Sequence, residues 1–300
     1  MGSHRSAVVA SGVLLAVLTV AACSPGESGP TVGVTTAVST TRTLPTPAPP
    51  IAPLPADGPA SVGGVALPAG VRIFALDGQG NPGPPRAWLT DIPNDQVRST
   101  WEALARQFPT TGLWPLATDG LDGDTGRPWR SSELGPVVQP GADVDAWFRA
   151  HDTAPNERHG PPFEGLARGT PGPPAQENTE YRDGPRPRRS DTTGLLLVPV
   201  QRPADALSAL GWLGATNYDM TGADLSAVLR SWEDRFGATL MAVGYDTIDL
   251  HVTRPPIDAH DHRALAKEHT LFDPDLLSNL MFSEYAEAIE TTDVWSFWWD

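Results

Sequence analysis

Cysteine is almost missing from this chain: Cys23 is the only one in 300 residues. No intrachain disulfide can form, and no cysteine-based metal cluster is possible. Basic residues are scarce as well, with 21 Lys and Arg against 36 Asp and Glu, a net charge of −15. That balance lacks the basic footprint that nucleic-acid binding needs, and it keeps a folded part off an anionic membrane surface. The apolar run at residues 7–20 is shorter than the roughly 18–20 residues of a membrane-spanning helix. Catalytic signatures are absent too: there is no serine nucleophile elbow, P-loop, zincin helix or dinucleotide glycine fingerprint. No cofactor is implied. The partners left are small molecules, basic protein patches and cations.

What is present begins with an export signal. Arg5 supplies a short positive start, residues 7–20 the apolar region, and Val20, Ala21 and Ala22 the small residues before a cleavage point. Val20-Ala21-Ala22-Cys23 resembles the lipobox of bacterial lipoproteins. The resemblance implies a signal peptide at 1–22, diacylglyceryl transfer to the Cys23 thiol, and a mature protein held by lipid at the outer face of the cytoplasmic membrane. Each buried methylene adds about 0.8 kcal/mol, so two acyl chains hold where one binds only marginally.

The 32 prolines and 29 glycines are bunched. Residues 23–62 carry few large apolar side chains, so they are expected to form a disordered tether, spanning roughly 35 Å as a flexible coil. An N-terminal α/β region is expected over 63–149. Residues 71–76 and 87–90 have the pattern of short strands. A helix follows, with Asn94 as N-cap, a stripe of Val97, Trp101, Leu104, Ala105 and Phe108, and Pro109 as its stop. Residues 113–116 then leave as a strand. Residues 150–193 are rich in Pro, Gly and Arg, including Arg182, Arg186, Arg188 and Arg189. Nearby acids nearly balance those arginines, so a solvated linker between two folded parts is expected.

The C-terminal block, 194–300, holds the densest signals. Leu195-Leu196-Leu197-Val198 has the continuous apolar character of a strand buried on both faces. Pro203 to Gly211 brackets a short helix. Thr221 and Asp224 open a longer one, with Leu225, Val228, Leu229, Trp232 and Phe236 as its stripe and Gly237 after its end. Strands follow at 240–245 and 248–253, the second alternating Ile248, Leu250 and Val252 inward with Asp249, His251 and Thr253 on a polar face. Asp273 before Pro274 reads as the N-cap of another helix, burying Leu277, Leu280, Met281, Tyr285 and Ala288. In the closing strand Trp295, Phe297 and Trp299 share one face, and Ser296, Trp298 and Asp300 the other.

The helix starting near Asp258 carries the least ordinary pattern. At 100° per residue, Ile257, Ala264, Leu265, Leu271 and Phe272 fall in a sector about 120° wide. Glu268 lies near its middle and Asp261 inside it, with His262 and His269 at its edge. A carboxylate centred on an apolar face is expensive unless paired, and such groups are enriched at functional sites. His260 and His262 diverge by about 200° on a helix, which makes them poor co-ligands, and no metal is implied.

Leu229-Arg230-Ser231-Trp232-Glu233-Asp234-Arg235-Phe236-Gly237-Ala238, Ala266-Lys267-Glu268-His269, Asp273-Pro274-Asp275 and the closing run from Trp295 to Asp300 resemble the bacterial family of domain of unknown function 4253. The resemblance covers about 195–300 and implies a fold but no reaction. It also implies a cysteine in many relatives where Asp273 stands, so thiol chemistry is unavailable here. The expected fold is α/β, an α+β sandwich whose mixed sheet has strands from 195, 240, 248 and 294 covered by helices.

Three functional readings follow. The first is a lipid-anchored binding or interaction module with a ligand site at Trp298, Glu268 and Asp261, taking a small molecule or a cell-envelope protein. The second is a hydrolase-like enzyme with Glu268 as general base, His269 as acid or orienting partner, and Asp275 holding a cation. A Glu268 enclosed and satisfied by amide or indole N–H groups excludes it. In the third, Glu268 and the tryptophans only hold the fold together.

Overall fold

The computed structural model describes residues 51–121, 124–141, 143–153, 160–170, 185 and 192–300. Cys23, the signal peptide, the tether up to residue 50 and Arg182, Arg186, Arg188 and Arg189 lie outside the described residues. The expected α+β architecture is present: one mixed sheet with helices packed on it. Its strands are β1 (Gly58–Val62), β2 (Val65–Leu76), β3 (Pro82–Pro93), β4 (Leu113–Thr118), β5 (Thr192–Pro199), β6 (Ala238–Val243), β7 (Thr247–Val252) and β8 (Val294–Trp298). They lie in the order β1-β2-β3-β5-β4-β6-β7-β8. Every neighbouring pair is antiparallel except β4 and β6.

That order corrects the expected division into two folded parts. β5, the first strand after residues 150–193, inserts between β3 and β4, pairing Leu196 with both Leu89 and Leu116. The described residues from 51 onward therefore lie in one compact unit. Leu195 to Val198 are buried throughout, as a central strand requires. The tether also ends earlier than expected, because residues 58–62 pair with β2 and the Trp88 indole donates to the Ala56 carbonyl at 3.1 Å. Small residues with little apolar surface of their own are ordered there by the hairpin they belong to.

The helices are α1 (Asn94–Thr111), α2 (Val144–His151), α3 (Ala206–Leu210), α4 (Gly222–Phe236), α5 (Ala259–Phe272) and α6 (Phe282–Ala288). The stripe of α1 is buried as its spacing requires, and Trp101 and Phe108 meet Trp114 edge-on. Pro109 does not stop α1. It lacks one donor, and the helix closes three residues later on Gly112, whose φ of 63° suits glycine. α4 has the expected capping box of Thr221 and Asp224, and Gly237 ends it at a φ of 61°. No helix among the described residues is long and apolar enough to cross a membrane.

Three local expectations fail for tertiary reasons. Ile257 is 84% exposed, because Asp258 caps α5 and residue 257 lies outside its helical phase. Asp249 and His251 are buried, since β7 runs inside the sheet and the Ser296 hydroxyl donates to Asp249 at 2.6 Å. No helix starts at Asp273: α6 begins at Phe282, which leaves Leu280 and Met281 exposed. The Asp273 carboxylate instead accepts the amides of Asp275 at 2.9 Å and Trp298 at 3.0 Å, outside the ladder that β8 makes with β7. One donor at the end of β8 is thereby taken by a side chain.

Candidate functional site

The candidate site is organised around α5, whose two sides do different things. Toward α4 and β8 it presents Glu268, with no exposed surface. Trp232 and Arg235, three residues apart on α4, project to one place. Glu268 Oε2 accepts from the Trp232 indole at 2.7 Å and Arg235 Nη2 at 2.6 Å. Its Oε1 accepts from Arg235 Nη1 at 2.8 Å and the Ala167 amide at 2.7 Å. A carboxylate has about four acceptor positions, and these donors fill them with a bidentate fork. Arg235 Nη1 also donates to the Ala167 carbonyl at 2.7 Å, so residues 160–170 are tied down at Ala167 by both its backbone groups.

His269 turns away from Glu268. Its Nδ1 lies 2.7 Å from the Tyr285 hydroxyl. Trp232, Trp295 and Phe297 surround the imidazole at centroid distances of 4.8, 4.5 and 5.0 Å. Burial, and then the Arg235 charge, hold its pKa well below the usual histidine range, so it is neutral. Glu268 and His269 do not form an acid–base pair.

The remaining sequence candidates scatter. Trp298 is 44% exposed and lies on the opposite face of β8 from Trp295 and Phe297, which pack on Trp232. Asp275 accepts from the Tyr218 hydroxyl at 2.6 Å and the Asp300 amide at 2.8 Å, which makes it a clamp on the chain end. That hydrogen bond pushes the Tyr218 hydroxyl up to about 12. Asp261 takes the Arg168 amide at 3.0 Å and its Nε at 3.1 Å. Asp258, His260 and Asp261 could bring ligand atoms within 4.8 Å of one another, yet both Asp261 oxygens are engaged by Arg168. His262 points instead toward Glu290, 3.9 Å away. Trp298, Glu268 and Asp261 thus line no common pocket.

On its outer side α5 borders an open groove of about 510 Å³. Residues 161–166 form the other wall. The helix contributes His260, Asp261, Arg263, Ala264 and Lys267, of which all but Asp261 share one stripe, so Asp261 is the one sequence candidate that borders the groove. Lys267 is only 3% exposed, and its ammonium lies 2.8 Å from Asp152 Oδ1. The other Asp152 oxygen accepts the Phe163 amide at 2.6 Å. Sequence reasoning missed Lys267, Asp152 and Arg263. Lys267 stands in one of the quoted motifs, but no spacing rule joins it to an aspartate after α2. It also missed Glu233 on α4, where burial pushes the carboxyl up to about 7 against the pull of Arg202.

Against this geometry, residues 194–300 match the family described as Domain of unknown function (DUF4253). The match spans β5 to β8 and α3 to α6, while β1 to β4 and residues 160–170 lie outside it. No curated protein matches the chain, and neither does any solved structure. The quoted motif of α4 now has a physical content: Trp232 and Arg235 hold Glu268, Glu233 and Asp234 hold Arg202, and Arg230 pairs with Asp205.

Proposed function

We propose that this chain is a binding module, carried at the outer face of the cytoplasmic membrane by lipid on Cys23, with its ligand in the groove between α5 and residues 161–168. The observation behind this reading is the contrast across α5. Glu268 is sealed and saturated, whereas the groove on the other side is open and about 510 Å³ in volume. Small-molecule sites typically enclose roughly 300–1,000 Å³ of mostly apolar wall with a few placed polar groups. A general base must reach the proton it takes, directly or through one water. Glu268 has neither a free acceptor position nor an approach, so the hydrolase reading has no base there. The structural reading accounts for Glu268, His269 and the tryptophans, and the binding role moves to the groove.

The test is a thermal-shift screen of cell-wall fragments and small carboxylic acids on wild type and Ala264→Trp. Hits that lose their shift in the filled-groove variant support the proposal. Hits that shift both proteins equally sink it. The anchor rests on the sequence around Cys23 alone, and metabolic labelling with a lipid precursor tests it. A Cys23→Ala protein that still partitions with membranes would remove the anchor from the proposal.

A further inference from the structure

We infer that the groove takes a ligand with an apolar body and a carboxylate, the carboxylate meeting Arg263 on α5. The inference rests on the groove being the binding site. Its two walls differ in chemistry. Pro161, Pro162, Phe163 and Leu166 make one wall apolar, and the two proline rings fix φ there, so little order is lost when a ligand packs against it. The α5 wall carries the cations. Arg263 and Lys267 stand four residues apart on one stripe, with Arg263 at the exposed rim.

The charged groups sort by what already engages them. Arg168 is committed to Asp261 and Asp258. Lys267 is held at the floor by Asp152, which is itself fixed by the Phe163 amide. Arg263 is exposed and has no carboxylate partner among the described residues, only the Phe282 ring 5.9 Å from its guanidinium carbon. Its planar fork matches a carboxylate in two-point geometry. Glu164, exposed on the loop wall, repels an anion there and so directs the charged end toward the helix.

Ligand-observed NMR titration of the full chain tests this with three probes of one shape: 4-phenylbutyrate, 4-phenylbutanol and 4-phenylbutylamine. We expect the acid to bind about tenfold tighter than the alcohol, and the amine to bind weakest. Arg263→Gln, on the exposed rim, weakens the acid about tenfold and leaves the alcohol unchanged. If the alcohol or amine binds as tightly as the acid, or if Arg263→Gln changes nothing, the carboxylate assignment is overturned and the groove stands. If no probe binds, or all bind Ala264→Trp as they bind wild type, the groove itself falls as the site.

Discussion

Lys267 and Glu268 are consecutive, both almost wholly buried and both ionisable, yet they belong to different kinds of environment. About 100° of helical phase separates them. Glu268 turns toward α4 and meets an indole, a guanidinium and a backbone amide that fill its acceptor positions. Lys267 turns toward residues 152–166, where Asp152 meets it and a groove opens beside it. Burial of a charge is therefore a poor marker of a site taken alone. What distinguishes the two is whether the hydrogen-bonding capacity is used up and whether a ligand can approach.

The strongest way to test that contrast is Glu268→Ala. It strands the Arg235 guanidinium, the Trp232 indole and the Ala167 amide in the interior, and breaking a buried pair this way costs about 3–5 kcal/mol. Chemical denaturation should show most of the fold's stability gone. Adding Arg235→Met to Glu268→Leu should recover a large part, because an apolar pair of similar volume avoids the stranded charge. A Glu268→Ala protein within 1 kcal/mol of wild type would mean that the hub does not hold the fold.

A second contrast lies between Glu268 and Glu233, its counterpart on α4. Glu233 Oε2 accepts from Arg202 at 2.9 Å, while Oε1 has no hydrogen-bond partner among the described residues. Burial pushes Glu233 up to about 7, and burial does the same to Asp273 against the amides of Trp298 and Asp275. Both folded values lie above the unfolded ones, so the folded state binds these protons more tightly. Their stabilisation is complete below the unfolded values near 4.5 and 3.8 and is lost as pH rises through about 7. Stability should therefore increase on going from pH 8 to pH 5, by about 2 kcal/mol from Glu233. Glu233→Gln should flatten that slope, and an unchanged slope would refute the assignment.

The helices were legible because their signals are local. The stripes of α1 and α4, the capping box at Thr221 and the Gly237 terminus all depend on residues within a few positions of each other. Helical phase also placed Glu268 on the apolar face of α5, and it is buried there. Its chemistry was not legible, because the donors come from Trp232, Arg235 and Ala167, up to 101 residues away. The same limit hid the single sheet, in which β5 separates β3 from β4 although residues 150–193 resemble a linker. At Asp273 a local rule lost to a distant partner, since the closing strand offers its amides to the carboxylate that was expected to cap a helix. The parity of the last strand had already set Trp298 against Trp295 and Phe297, so a pocket shared by Trp298 and Glu268 was at odds with that alternation.

The outer side of α5 should respond more mildly than the inner one, and this sharpens the comparison. Lys267→Met leaves Asp152 with its Phe163 amide but without its cation, which should cost about 1–2 kcal/mol. Arg263→Gln removes a rim cation with no ion pair among the described residues, so its unfolding free energy should stay within about 0.5 kcal/mol of wild type. The two variants then separate what holds the fold from what holds a ligand. Arg263→Gln should lose carboxylate binding at unchanged stability, measured on one sample by NMR titration and urea denaturation. A loss of stability matching that of Lys267→Met would show that Arg263 is part of the fold's ionic framework, and the distinction between the two sides of α5 would collapse.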